Sequence, residues 1–400
     1  MRVKIANRAK SIKPSPTLAV SAKANEMKAA GIDVINLGVG EPDFNTPEYI
    51  KEAGKKAIDD NFTRYTATPG ILPLREAICE KFRKDNGLDY KPSQILVSPG
   101  AKASIINVLM TICNPRDQVF IPDPYWVSYT SQVEMVDALP VLLSTSESAN
   151  FKITADQLEK AIEKSSTPKA LIINSPDNPT GCMYSEQELQ EIGEVCVKHG
   201  LLIISDEIYE KLVYDGQKHV SIATISEEIK DHTIVVNGVS KAYAMTGWRL
   251  GYAAGNAEII STAGRIQAHT TSNVCSITQK ASLTAITEDD GSVEKMRVEF
   301  EKRRNKLVKD LIQIPKVTCF KPQGAFYTMP NVSYYIKNNK HGIEDSIELC
   351  AYLLEKYHIA LVPGLAFGVD GFVRFSFATS MENINKGVER LAAGLRALME

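Results

Sequence analysis

The sequence predicts an α/β fold: a large domain built on a mainly parallel, mixed sheet sandwiched by helices, with a smaller α+β domain beside it. Three observations predict this. Between about residues 47 and 290, helical patterns alternate with short apolar runs: Ile95-Leu96-Val97, Val119-Phe120-Ile121, Leu171-Ile172-Ile173, Leu202-Ile203-Ile204 and Ile234-Val235-Val236. Near-continuous apolar strands separated by helices belong to a parallel sheet covered on both faces. Each run is followed at once by a polar cluster, and open sheets of this kind bind ligands at the carboxyl edge of their strands. Lastly, 400 residues exceed the length at which one hydrophobic core usually divides, and after about residue 310 the pattern changes to mixed strands and helices.

Residues 1–15 are basic and run into Pro14 and Pro16, which fits an extended arm of the kind that lies on a partner subunit. A helical pattern follows from Thr17 to about Ala30, and Gly31 ends it. The short strand Val34-Ile35-Asn36-Leu37 enters the loop Gly38-Val39-Gly40-Glu41-Pro42-Asp43-Phe44. Its glycines permit close backbone approach to a ligand, but Asp43 stands where a G-x-G-x-x-G dinucleotide fingerprint needs its third glycine. The apolar runs then lead into Ser98-Pro99-Gly100-Ala101-Lys102, Pro122-Asp123-Pro124-Tyr125-Trp126, Asn174-Ser175-Pro176-Asp177-Asn178-Pro179-Thr180-Gly181, Ser205-Asp206-Glu207-Ile208-Tyr209 and the loop that holds Ser240 and Lys241. All these clusters are expected at one sheet edge. Leu250-Gly251-Tyr252-Ala253-Ala254 reads as a further strand, the antiparallel member of a mixed sheet. The charged run 294–304 is expected to be a helix with a solvated face that links the domains. Beyond it, 317–320, 325–329 and 373–377 read as strands, and 344–357 and 381–399 as helices.

A net charge of -2 and a pI near 6.4 give no basic excess, which argues against nucleic acid or an anionic membrane as the main partner. The 7 cysteines are odd in number and scattered without C-x-x-C spacing, and the 6 histidines form no ligand pair, so reduced thiols and no metal are expected. No run approaches the ~20 apolar residues that span a bilayer, and the basic first 25 residues lack the apolar core of a secretory signal. A cytoplasmic protein acting on small molecules is expected.

Lys241 sits in a polar loop between two β-branched apolar runs, with Arg249 eight residues on. Most lysines are solvated. One packed at a strand end among small and aromatic residues loses hydration, its pKa falls, and its amine becomes a nucleophile able to form a Schiff base. Ser240-Lys241 together with Met245-Thr246-Gly247-Trp248-Arg249-Leu250-Gly251-Tyr252 resembles the cofactor-lysine segment of the class I aminotransferases, the fold type I enzymes that use pyridoxal 5'-phosphate. The resemblance extends over essentially the whole chain, from Lys13-Pro14-Ser15-Pro16-Thr17 onward. It is closest to the aspartate aminotransferase subgroup that includes aspartate/prephenate enzymes. It implies transamination between a dicarboxylic amino acid and a 2-oxo acid, a homodimer with shared active sites, and a discontinuous small domain. The expected division is an arm at 1–15, a small domain from 16–46 and 291–400, and a large cofactor-binding domain at 47–290.

The resemblance also implies roles. Lys241 carries the cofactor; Asp206, which read locally serves equally well as a helix N-cap, pairs with the pyridine nitrogen; Tyr209 and Asn178 donate to the ring's O3' oxygen. Trp126 stacks on the ring. The phosphate is held by Gly100, Ala101 and Lys102 at a helix start, by Ser240 and by Arg249, with Tyr65 reaching in from the neighbouring subunit. Arg374, in R-F-S-F-A, takes the substrate's α-carboxylate, and Gly40 closes over it. In some members a serine three residues before the lysine also binds the phosphate; here that residue is Gly238. The second arginine of the better-known aspartate enzymes has no counterpart, Arg265 being without a motif, so the distal carboxylate is expected to fall to Lys102, helped by Thr17 and Lys13. The rivals are an aromatic or neutral-substrate aminotransferase, a carbon–sulfur β-lyase of the same cofactor class, and a regulator of this fold, which would need an added DNA-binding module.

Overall fold

The computed structural model describes residues 4–6, 9–10, 12 and 16–400. Most of the expected arm, Lys13 included, falls outside the described residues, as does the side chain of Thr17.

Strand β1 is Ile35–Asn36. The next seven, β2 (Ile95–Ser98), β3 (Gln118–Asp123), β4 (Leu139–Ser144), β5 (Pro168–Asn174), β6 (Leu202–Asp206), β7 (Thr233–Gly238) and β8 (Gly251–Ala254), form one sheet in the order β2-β8-β7-β6-β5-β3-β4. Pairing is parallel from β4 through β7, while β8 runs antiparallel to both its neighbours. The chain is thus the expected α/β protein with a mixed, mainly parallel sheet. Successive side chains enter cores on opposite faces. Ile172 and Ile204 pack with Val108 and Ile260, whereas Leu171, Ile173 and Ile203 pack with Leu158 and Ile192. Strand β4 has no counterpart in the sequence reading. It is an edge strand whose apolar run Val141-Leu142-Leu143 follows Pro140, a residue that argues against a strand in the sheet interior, and its Leu139 and Leu142 are exposed.

Because the parallel strands share a direction, the polar clusters after β2, β3, β5, β6 and β7 all emerge at one edge. The helix Ala101–Ile112 starts against β8, and a Cβ on Gly251 would lie 2.2 Å from the Ala101 backbone nitrogen. Gly238, opposite Gly251 in the sheet, has the same constraint: its Cβ would meet the Gly251 Cα at 2.8 Å. Gly238 is therefore demanded by the close passage of β7, β8 and this helix.

The remaining strands are short: β9 (Thr318–Cys319), β10 (Tyr327–Thr328), β11 (Pro330–Asn331), β12 (Ile359–Ala360), β13 (Val362–Pro363) and β14 (Val373–Ser376). They make the sheets β1-β12, β11-β9 and β10-β14-β13. Ser376 N–H donates to the Leu37 carbonyl at 2.8 Å, tying β14 to the segment after β1. The strand expected over 325–329 shortens to β10 because Ala325 is left-handed, at φ 56°. The charged helix Ser292–Leu311 departs from a solvated-face reading. Arg303 pairs with Asp43 at 2.7 Å, and Arg304, fully buried, makes a two-pronged contact with Asp215 at 2.8 Å on each oxygen. Among the described residues no helix is long and apolar enough to cross a membrane.

Candidate active site

A cavity of about 710 Å³ opens between the carboxyl edge of the large sheet, the 39–41 loop and strands β10 and β14. Of the sequence-predicted residues, Lys241, Asp206, Tyr209, Asn178, Ser240, Arg249, Gly40, Ala101, Lys102, Trp126 and Arg374 line it. Gly100 stands just behind, at φ 86°, where a Cβ would lie 2.5 Å from an Arg249 guanidinium nitrogen. Tyr65 is 90% exposed and outside the lining of this cavity.

The Lys241 ammonium donates to the Gly40 carbonyl at 2.7 Å and lies 5.8 Å and 5.7 Å from the Tyr209 and Phe326 ring centres. Burial, with the Arg374 charge nearby, pushes its pKa down to about 8. At neutral pH such a lysine holds its proton weakly and yields an amine readily.

Asp206, at the end of β6, is buried, and burial pushes its carboxyl up to about 6 against hydrogen bonds that favour the charge. Those bonds come from the Tyr129 hydroxyl at 2.8 Å and the Ile208 N–H at 3.2 Å. No lysine or arginine forms an ion pair with it among the described residues. Asn174 Nδ2 donates to the Asp206 carbonyl at 2.8 Å, while its Oδ1 accepts the Asn178 N–H at 2.9 Å. Two of the polar clusters are locked together in this way.

Arg374, on β14, is buried, and burial lowers its pKa. Its guanidinium donates to Asn178 Oδ1 at 3.0 Å and to the Gly38 carbonyl at 2.7 Å, while its Nε has no partner. It has no carboxylate partner among the described residues, so it is a buried cation open to an anion. At the other side of the cavity the Lys102 ammonium stands 4.9 Å over the Trp126 ring, its pKa lowered by burial and by Arg249. Arg249, also without an ion pair among the described residues, donates to the Thr246 carbonyl at 2.9 Å and projects beside the start of the Ala101–Ile112 helix.

Sequence reasoning missed several lining residues. Tyr129 follows Trp126 by three positions, the helical spacing that puts both on one side, and their rings meet edge-on at 5.3 Å. Tyr327 lay in an apolar run that reads as core. Ser21, Asn25 and Asn36 bring neutral polar groups from the N-terminal helix and β1, and Glu41 accepts the Thr246 hydroxyl at 2.7 Å.

Residues 32–391 match the family model described as aminotransferase class I and II. The chain belongs to this aminotransferase family. It is 49% identical to the aspartate aminotransferase of Geobacillus stearothermophilus, covering 97% of this chain and 98% of that one. It is 44% identical to the aspartate/prephenate aminotransferase of Nitrosomonas europaea, covering 98% and 99%. The crystal structure of the aspartate aminotransferase from Rhizobium meliloti superposes with a TM-score of 0.95 at 40% identity, covering 99% of this chain and 100% of that one. The aminotransferase family implies pyridoxal phosphate, and the cavity's chemistry fits that group. A buried carboxylate lacking a cation suits a protonated pyridine nitrogen, an arginine lacking an anion beside a helix start suits a phosphate, and a weakly protonated lysine suits the aldehyde.

Proposed function

We propose that this aminotransferase transfers the amino group of aspartate or glutamate to a 2-oxo acid, prephenate among its acceptors, with pyridoxal phosphate held by Lys241. The observation that carries the reading is the meeting, in one cavity, of a carboxylate (Asp206) with no ion-paired cation and cations with no ion-paired anion among the described residues: Arg374 deep inside, with Arg249 and Lys102 nearer the mouth. The names of the relatives support the dicarboxylic donor and the prephenate acceptor.

When bound, the cofactor would supply an electron sink for the pair left on the substrate's α-carbon when its proton departs. Asp206 holds the pyridine proton, and Tyr129 and the Ile208 N–H hold Asp206. Tyr209 and Asn178 orient the ring through O3', and Trp126 covers its face. Ser240, Arg249 and the N–H groups at residues 100–102 take the phosphate. Arg374 would take the α-carboxylate and so direct the α-proton toward Lys241, whose amine would accept it, leaving the electron pair to the cofactor, and then give it up again to complete the exchange. Movement of the 39–41 loop over the bound carboxylate excludes water. Lys102 has the reach to meet distal carboxylates at different distances, and Thr17 and Lys13 would assist from the N-terminal segment. The division into a 47–290 cofactor domain and a discontinuous small domain supplies the hinge. In the assembled homodimer, Tyr65 reaches the neighbouring subunit's phosphate site.

A panel of amino donors and 2-oxo acceptors, run on the wild type and Lys102→Met, tests this. Aspartate and glutamate should exceed neutral and aromatic donors in kcat/KM, and Lys102→Met should lower the dicarboxylic values by roughly ten- to a hundredfold while sparing neutral donors. Equal losses for both classes would remove Lys102 from substrate selection, and a wild type that prefers neutral donors would overturn the assignment.

A further inference from the structure

Tyr327 joins the Arg374 subsite to the Tyr209 phenol, a second link beside the Arg374–Asn178 hydrogen bond. It lies on β10 opposite Ser376 of β14, so Arg374 is its diagonal neighbour on the same face. The Arg374 guanidinium sits 4.3 Å over the Tyr327 ring centre, with the Phe367 ring at 5.0 Å from the same guanidinium. The Tyr327 hydroxyl meets the Tyr209 hydroxyl at 3.1 Å, and both tyrosines are buried. That hydroxyl also faces Gly40, where a Cβ would lie only 3.2 Å away, and the Gly40 carbonyl is the acceptor for Lys241. One side chain therefore touches the carboxylate subsite with its ring and the cofactor-orienting phenol with its hydroxyl.

We propose that Tyr327 is a positioning residue that couples occupancy of the Arg374 subsite to the donor strength of Tyr209. The inference rests on the proposed function, since it takes Tyr209 to donate to the cofactor's O3' oxygen. The direction of the bond follows from the surrounding charges. A cation over a phenol ring makes that phenol the better donor, and Arg374 stands nearer the Tyr327 ring, at 4.3 Å, than Lys241 does to the Tyr209 ring, at 5.8 Å, so Tyr327 donates to the Tyr209 oxygen and leaves Tyr209's own proton free for the cavity. With the Arg374 subsite empty, Tyr209 is then a strong donor. It stabilises negative charge on O3' and weakens the hold of the Lys241–cofactor linkage on its proton. When a substrate carboxylate neutralises Arg374, Tyr327 donates less, Tyr209 relaxes, and the linkage holds its proton more firmly, the form that an incoming amine attacks. The other charged and titratable groups facing Tyr209, Tyr327 and Lys241 are Asp206, Glu41 and Arg249, and Tyr327→Phe leaves all of them in place.

The test uses the visible absorption of the holoenzyme, titrated with pH, with and without maleate as a non-reacting dicarboxylate. Tyr327→Phe keeps the ring over Arg374 and removes only the hydroxyl. It should raise the titration midpoint of the maleate-free enzyme by on the order of half a pH unit. Maleate affinity should stay within about twofold, and the maleate-induced rise in midpoint should be smaller than in the wild type. Tyr327→Leu, which loses the ring, should weaken maleate binding by about fivefold. A Tyr327→Phe midpoint and maleate response equal to those of the wild type would overturn the coupling. A wild type that shows no visible band with pyridoxal phosphate would instead overturn the proposed function, so the two failures are distinguishable.

Discussion

Asp206 shows at the scale of one residue how a site can oppose the fold that carries it. An isolated carboxyl titrates near 3.8, and the interior pushes Asp206 up to about 6. From pH 3.8 to 6 the unfolded chain releases this proton before the folded chain does, so stability falls across that window and the penalty stays constant above it. Below it, both states are protonated and nothing is lost. Asp206→Asn should therefore stabilise the cofactor-free protein at pH 7 to 8 by roughly 1–3 kcal/mol in denaturant unfolding, with the gain vanishing below about pH 4. The same substitution should lower kcat of the loaded enzyme by about 10²–10³, because an amide cannot hold the pyridine proton. A variant with wild-type turnover would sink the role of Asp206; one with wild-type stability at both pH values would show that its charge is compensated when the cofactor is absent. The residues that sequence could single out were those in punctuated loops after apolar runs, such as Lys241, Asp206 and Asn178, where the type is unusual for the setting. Tyr129 and Tyr327 were not legible because a tyrosine inside an apolar pattern is an ordinary core residue. What makes them informative is a hydroxyl partner 77 or 118 residues away in the chain.

At the scale of elements, the end of β6 carries two kinds of carboxylate. Asp206 turns into the cavity, whereas Glu207 turns away and accepts from the Ser205 and Ser221 hydroxyls and from His219 Nε2 at 3.0 Å. Three residues on, Glu210 pairs with Lys81, whose side chain is only 6% exposed, and accepts Asn86 Nδ2 at 3.0 Å. Burial disfavours the Glu210 charge, yet Lys81 and His219 hold it down to about 2. Its stabilising contribution is thus present above about pH 4.5 and lost as pH falls toward 2. Glu210→Ala leaves the buried Lys81 with only the longer Asp85 contact at 3.8 Å and the Asn86 Oδ1 acceptor at 2.8 Å, which should cost about 1–3 kcal/mol in denaturant unfolding at pH 7. No measurable loss would mean that Asp85 closes on Lys81 and replaces Glu210 in full. Elements of this kind mark the limit of sequence reading. The central strands announce themselves because both their faces are apolar, and they fell where expected. Edge strand β4 and the buried arginines of the Ser292–Leu311 helix did not, since an exposed leucine and a charged run look alike whether or not a partner from elsewhere covers them.

At the scale of the whole molecule, Tyr65 is the predicted cofactor residue that one chain alone leaves 90% exposed. Ile58 at 53% and Leu72 at 50% exposure lie on either side of it in sequence. In the proposed homodimer the second copy would cover these groups. If Tyr65 completes the neighbour's phosphate site, two variants damaged in different places should repair one another. Lys241→Ala removes the cofactor lysine from its own site but still offers an intact Tyr65 to its neighbour. Tyr65→Phe keeps its own lysine but deprives the neighbour of one phosphate donor, which should weaken cofactor binding by about tenfold. In a hybrid dimer of the two, the site built on the Tyr65→Phe chain has both its own Lys241 and the other chain's Tyr65, and is wild type in every contact. Co-expressed chains carrying different tags, purified as hybrids and assayed at a cofactor concentration that leaves Tyr65→Phe homodimers mostly empty, should therefore show close to half the wild-type turnover per dimer. If Tyr65 served its own chain, the hybrid would contain one site without a lysine and one without the hydroxyl, and its turnover would be no more than half that of the Tyr65→Phe homodimer.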